Sequence, residues 1–240
     1  MNDLLIQDLT IDWSKIEADS YLQKISPVRN LHRLEFNCPI TFFAGENGSG
    51  KSTLLEALAI RCGFNPEGGT KNYAFSTYDS HSRLCDAVTV GKGYRRAKWG
   101  YFLRAESFYN VATKEEEYAE YALTGSRAYH KRSHGESFLL LAQDNFREDS
   151  IYLLDEPESA LSPQRQLVLL REICRWAEKG SQFIIASHSP ILLGAPDAEI
   201  LSFDGDSIQK VEYEDTDSYQ ITKMFVEDRE HLLHFLMKEL

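Results

Sequence analysis

At 240 residues, with 42% hydrophobic and 26% charged side chains and no low-complexity tract, the chain has the make-up of a single globular domain, which excludes disorder as its default state. The 37 acidic against 26 basic residues leave a formal charge of -11, which excludes wrapping nucleic acid over the whole surface while leaving room for a local basic patch. No stretch approaches the roughly eighteen apolar residues of a membrane span. The opening MNDLLIQDLTIDW carries acids where a targeting segment would be basic, so a cytoplasmic protein with no membrane partner is expected.

In chain order, residues 4–11 and 32–37 read as strands of a small antiparallel sheet. The apolar run ITFFA (Ile40–Ala44) follows as a core strand. Residues 65 to about 135 are polar and interrupted by glycine, with two basic or aromatic strand-like pieces and a charged helix at 114–123, and with the apolar segment that follows they read as an inserted lobe of about 65–147. Further core strands are expected at 151–154 (IYLL), 183–186 (FIIA) and 199–203 (EILSF), with a helix running from an N-cap at Ser162 to a stop at Gly180. Helices close the chain over about 217–240. Strands alternating with helices predict an α/β fold, and we count one domain: a core lobe of about 1–64 and 148–213, plus the inserted lobe. Cys38, Cys62, Cys85 and Cys174 lie too far apart in sequence to suggest a metal or redox pair.

Residues 45–53 read GENGSGKST, which fits G-x-x-x-x-G-K-[ST], follows the strand ITFFA and opens a helix. Glycines in this pattern let backbone N–H groups turn inward around phosphate oxygens. Gly45, Glu46, Asn47, Gly48, Ser49 and Gly50 supply the loop. Lys51 reaches the β- and γ-phosphates, Ser52 offers a hydroxyl to Mg²⁺, and Thr53 adds a contact to the α-phosphate. The cofactors expected are ATP and Mg²⁺.

Residues 151–158, IYLLDEPE, deliver two adjacent carboxylates at a strand end, a Walker B pattern. Asp155 would hold Mg²⁺ through its water shell, and Glu156 would orient or deprotonate the attacking water. Adjacent strand positions point to opposite faces, so the turn at Pro157 must help to bring both acids to one site. His188, in the SHSP segment after the strand SQFIIA, is placed to sense a γ-phosphate. Residues 133–137, SHGES, precede an apolar helix, where Ser133 and the amides near Gly135 read either as anion donors or as a simple N-cap.

The order GENGSGKST, SHGES, IYLLDEPESALS, ASHSP over residues 39–190 resembles the ABC ATPase superfamily. It is most similar to the stand-alone, non-transporter members related to the heads of SMC and RecF proteins and of OLD-family nucleases, among them short bacterial AAA-type ATPases. The resemblance implies a P-loop NTPase fold of ABC type, with a mostly parallel core sheet flanked by helices, a small antiparallel β part and an inserted helical and basic lobe. It assigns catalysis to Lys51, Glu156 and His188, and the metal to Ser52 and Asp155. It also implies an ATP-dependent homodimer, in which Ser133 and Gly135 of one subunit close on the ATP held by the other. The sequence departs from the family at SHGES, where LSGGQ is usual, and at Ser162, where the loop of residues 159–162 usually ends in Asp. In place of a family glutamine, LRAESF offers Glu106, which reads either as a metal ligand or as a surface acid paired with an arginine. Tyr21 is the candidate to stack on adenine, with a core tyrosine as the alternative.

Two functions fit these residues, an ATPase of DNA maintenance or defence and a nucleotide-controlled protein-interaction switch, while a third, an ABC transporter subunit, is disfavoured because SHGES and ASHSP resemble the non-transporter branch. The first draws on GKGYRRAKWGYFLR, where Lys92, Arg95, Arg96, Lys98 and Arg104 lie among Tyr94, Trp99 and Tyr101. The same run also reads as a solvated hairpin face.

Overall fold

The computed structural model describes residues 3–70, 82–104 and 134–238, so the helix expected at 114–123 lies outside the described residues. The strands are β1 (Ile6–Ile11), β2 (Arg33–Glu35), β3 (Ile40–Ala44), β4 (Val88–Lys92), β5 (Trp99–Arg104), β6 (Ser150–Asp155), β7 (Gln182–Ala186), β8 (Glu199–Ser202) and β9 (Gln209–Val211). The helices are α1 (Ser26–Arg29), α2 (Lys51–Cys62), α3 (Leu84–Ala87), α4 (His134–Asn145), α5 (Pro163–Ala177), α6 (Pro190–Leu193), α7 (Asp217–Glu227) and α8 (Arg229–Lys238).

Every residue of β3, β6 and β7 is buried, as continuous apolar runs require when both faces of a parallel sheet are covered. These strands form the centre of a six-stranded sheet ordered β5-β6-β7-β3-β8-β9, parallel except for β9. Alternate side chains face opposite layers. Phe43, Leu153 and Ile184 join Leu54 and Leu58 of α2 on one face, while Phe42, Tyr152, Leu154, Phe183 and Ile185 join Leu169 and Ile173 of α5 on the other. The α5 helix begins where expected, but the Ser162 side chain makes no capping hydrogen bond. Pro163 has no N–H to offer, which removes one of the orphan donors that a cap would satisfy.

The second sheet is antiparallel, ordered β2-β1-β4, so the strands expected near residues 4–11 and 32–37 do pair. Its third strand was expected in the inserted lobe. So was β5, which instead forms the edge of the central sheet in parallel register with β6. The physical reason is its composition: Tyr101, Phe102 and Leu103 are buried on successive positions, which an isolated hairpin face could not achieve.

One side chain joins the two sheets. Gln182 of β7 is 1% exposed, its Nε2 donates to the Ile6 carbonyl at 2.9 Å, and its Oε1 accepts from the Ile6 N–H at 2.8 Å. The amide thereby pairs with the β1 backbone as a neighbouring strand would. Replacing Gln182 by Ala leaves a buried donor and a buried acceptor without partners, at about 1–3 kcal/mol each. We expect a lower urea midpoint with an unchanged m-value; a midpoint equal to the parent's would show that the bridge is replaceable.

Candidate active site

The parallel strands of the central sheet all end at one edge. Phe43 and Asp155 both register with Ala186, Ala44 with Ser202, and Arg104 with Asp155. Loops leaving these ends therefore converge, as ligand sites do at the carboxyl ends of open α/β sheets.

The first such loop joins β3 to α2. Gly45, Gly48 and Gly50 have φ of 137°, 83° and 95°, and Gly50 is the N-cap of α2 without any side-chain cap. A Cβ on Gly50 would stand 2.5 Å from Val28 Cγ2 and 2.7 Å from Ile25 Cγ2, so α1 and the residue before it press directly on the loop. Lys51 is only 3% exposed, and its Nζ donates to the carbonyls of Gly45 at 2.6 Å and Glu46 at 2.7 Å. Burial pushes the Lys51 ammonium below the ordinary lysine range, and the charges of Glu156, Asp204, Asp155 and Glu158 oppose that shift. Ser52 Oγ donates to Asp155 Oδ1 at 2.8 Å.

Asp155 ends β6 and is buried. Glu156 then takes a left-handed backbone, with φ 48° and ψ 50°, while its N–H donates to the Ala186 carbonyl at 2.9 Å. This left-handed residue redirects the chain, and Pro157 continues it as the first residue of the short turn Pro157–Ala160. The expected help from the turn at Pro157 is thus joined by the left-handed backbone of Glu156. His188 follows β7 with a side chain 48% exposed, and it shares a cleft of about 880 Å³ with Gly45, Glu46, Asn47 and Asp204.

Four residues of the site were not singled out for it from the sequence. Asp204, beyond β8, accepts the Glu46 N–H at 2.7 Å. Glu158 accepts from the turn that carries His188, with its Oε1 2.8 Å from both Ser187 Oγ and the His188 N–H. Arg104 donates to Glu56 of α2 at 2.6 Å, and its Nε lies 3.6 Å from Asp155 Oδ2. The only sequence sign of Glu56 was an acid inside the apolar helix segment LLEALA.

Other expectations fare differently. Glu106 and Ser133 lie outside the described residues, and Gly135 falls in the first turn of α4. Tyr21 is 55% exposed, not a core residue, and lines neither the cleft above nor a second one of about 580 Å³ beside the phosphate loop. From its turn, Lys24 lines that second cleft, together with Asn47, Gly48 and Ser49. In the basic segment, Arg95 and Lys98 both bind Asp149, Lys98 at 2.6 Å, and Lys98 above all holds that carboxyl below its usual range. Trp99 lies under the Arg147 guanidinium, 4.4 Å from its ring centroid.

Against known families, residues 21–132 match a model described as an AAA domain, and residues 136–194 match one described as "AAA domain, putative AbiEii toxin, Type IV TA system". Together they span the phosphate loop, the paired acids and His188. Both matches describe an AAA domain, and the chain is a P-loop ATPase. Such an ATPase binds and hydrolyses nucleotide. Among its relatives is an "Uncharacterized ABC transporter ATP-binding protein" of Haemophilus influenzae, 29% identical over 169 residues, covering 61% of this chain. The chain spans 62% of that relative's length. Similar solved structures include the SMC head domain of Thermotoga maritima (13% identity, TM-score 0.47, covering 87% of this chain and 100% of that one). Another is an ATP-binding cassette of an ABC transporter (14% identity, TM-score 0.45, covering 96% and 99%).

The P-loop geometry has a direct consequence at Gly50. Alanine there must adopt a left-handed φ and also collide with Val28, a strain of roughly 1–3 kcal/mol from the backbone alone. We expect Gly50→Ala to lose ATP binding in titration calorimetry while its circular dichroism stays native; binding at parental affinity would contradict the strain.

Proposed function

We propose that this ATPase works as a stand-alone, non-transporter enzyme of defence or DNA maintenance, in which Mg²⁺-bound ATP closes two copies of the chain into a dimer and hydrolysis releases them. One observation carries the assignment of roles: the Ser52–Asp155 hydrogen bond of 2.8 Å links the first helical hydroxyl after the P-loop lysine to the first Walker B acid. A hydroxyl and one carboxylate suit Mg²⁺, which takes few protein oxygens and keeps waters and phosphate oxygens as its other ligands. Bound there, Mg²⁺ supplies neutralisation of charge on the β- and γ-phosphates.

The chain's own residues supply the rest. Inward amides of residues 45–53 and the N-terminus of α2 bind the phosphates. Lys51 exchanges the carbonyls of Gly45 and Glu46 for phosphate oxygens, a short movement because the ammonium already lies inside the loop. Glu156, held at the strand edge by its bond to Ala186, orients the attacking water and accepts its proton. His188 contacts the γ-phosphate from the cleft it shares with the loop. The second Mg²⁺-side acid, Glu106, and the trans-acting Ser133 and Gly135 complete the site from the lobe and from the partner subunit, and Tyr21 or its neighbour Lys24 meets the adenine.

The toxin–antitoxin wording of the model matching residues 136–194 supports defence, whereas the name of the Haemophilus relative points to transport. A nucleic-acid contact through Lys92–Arg104 has narrow support, because Arg95, Lys98, Arg104 and the Tyr94 hydroxyl are engaged with acids of the chain itself, leaving Lys92 and Arg96 on the surface. The interaction-switch reading is favoured by a different observation. Ile221, Met224, Phe225 and Val226 of α7 and Phe235, Leu236 and Met237 of α8 are exposed, and Ile221 also lines the cleft beside the P-loop.

Two outcomes test the main proposal. Lys51→Ala removes charge-assisted bonds to the phosphates, and ATP affinity should fall by roughly 10- to 100-fold in titration calorimetry. Glu156→Gln keeps the shape and removes the base, so the variant should accumulate as a dimer in light scattering with ATP and Mg²⁺ but not with ADP. Adding Gly135→Asp should return it to monomer, because a carboxylate against the γ-phosphate repels it. A Glu156→Gln protein that stays monomeric at saturating ATP, or dimerises equally with ADP, would refute the dimer mechanism.

A further inference from the structure

We infer that Glu158 is a positioning residue for hydrolysis: it fastens the turn that carries His188 to the turn that carries Glu156, so that the two groups reach the γ-phosphate as one unit. The inference rests on the role proposed above for His188 and adds the means by which that role is held.

Glu158 lies two residues after Glu156 in the turn Pro157–Ala160, and its side chain is only 5% exposed. Its Oε1 accepts from Ser187 Oγ at 2.8 Å, from the His188 N–H at 2.8 Å and from the Ser189 N–H at 3.2 Å. The same oxygen stands 3.4 Å from His188 Nδ1. A single carboxylate oxygen thus gathers two backbone amides, a hydroxyl and the imidazole of three consecutive residues. With Nδ1 turned to the carboxylate, the ring presents its Nε2 edge away from Glu158, which is how a partner on one ring nitrogen sets what the other can do.

Energetics separate this role from simple stabilisation. Glu158 Oε2 is buried without a hydrogen-bond partner among the described residues, and a buried carboxylate costs several kcal/mol that its contacts only partly return. A residue serving stability alone would be better replaced by one without that orphan oxygen. The turn has other fastenings. Ser189 Oγ accepts from the N–H groups of Ile191 and Leu192 and donates to Gln166 Oε1 at 2.6 Å, and the Ser187 N–H donates to the Phe43 carbonyl. These bonds hold the two ends of the turn. Among the described residues, only the contacts to Glu158 act on His188 itself, on both its backbone and its ring.

The test is a double-mutant cycle in ATP turnover, with ATP affinity measured separately by calorimetry. Glu158→Ala should lower kcat by about 10- to 100-fold, the usual cost of losing an orienting partner, with ATP affinity within twofold of the parent. His188→Ala should fall comparably, and the double variant should fall no further than His188→Ala alone. Glu158→Gln, which keeps an acceptor oxygen for the three N–H and O–H donors, should retain most of the parental kcat. If Glu158→Ala does not fold, Glu158→Asp, one methylene shorter with its charge intact, enters the same cycle with the same expectation. A parental kcat in Glu158→Ala, or losses that multiply in the double variant, would overturn the inference while leaving the role of His188 standing. A parental kcat in His188→Ala would overturn both.

Discussion

A buried ammonium is the constraint around which this site is arranged. Lys51 is withdrawn from water and held by two carbonyls of its own loop, so its charge must be balanced by groups the fold brings near. Asp155, Glu156 and Glu158 arrive from the end of β6 and Asp204 from the end of β8, and all four act on it electrostatically. Under the proposed function, a triphosphate would meet a cation already withdrawn from water and would replace the Gly45 and Glu46 carbonyls around it. Two of the acids that balance Lys51 in the free chain, Asp155 and Glu156, are also those that the proposed chemistry uses.

The sheet converts this local requirement into geometry. Because β7 lies between β3 and β6, the P-loop and the Walker B acids leave strands about 10 Å apart, and the His188 turn emerges between them. Glu156 bonds to the last residue of β7, and Ser187, the next in the chain, bonds to Phe43 of β3. Each loop is therefore tied to its neighbour at the point where it leaves the sheet. Arg104 extends the same logic to the edge strand, linking β5 to Glu56 on the P-loop helix and approaching Asp155. A chain of buried ion pairs of this kind adds little net stability.

The basic segment shows how composition misleads when the fold is unknown. Lys92 to Arg104 looked like a cationic patch facing outward, with aromatic residues between the charges. In the folded chain Arg95 and Lys98 converge on Asp149, Arg104 turns inward to Glu56, and Tyr101 is buried in the core. An acidic protein spends much of its positive charge on its own carboxylates, because such partners are close and cost little to order once the backbone is placed.

The sequence alone determined those parts of the site whose function is carried by consecutive residues: GENGSGKST as a phosphate loop, DE at the end of an apolar strand, and the core strands ITFFA, IYLL and FIIA. Loop conformation and strand burial depend on neighbours in the chain, so they leave a local pattern. What only the tertiary structure decided was which distant groups meet. Asp204 reaches Glu46 across 158 positions, Arg104 reaches Glu56 across 48, and Gln182 reaches Ile6 across 176. Nothing within a few residues of Asp204, Arg104 or Gln182 announces such a partner, because the contact depends on strand order and register. Even Glu158, two residues from Glu156, reads as an ordinary surface acid until β7 is laid beside β6 and delivers Ser187, His188 and Ser189 to it.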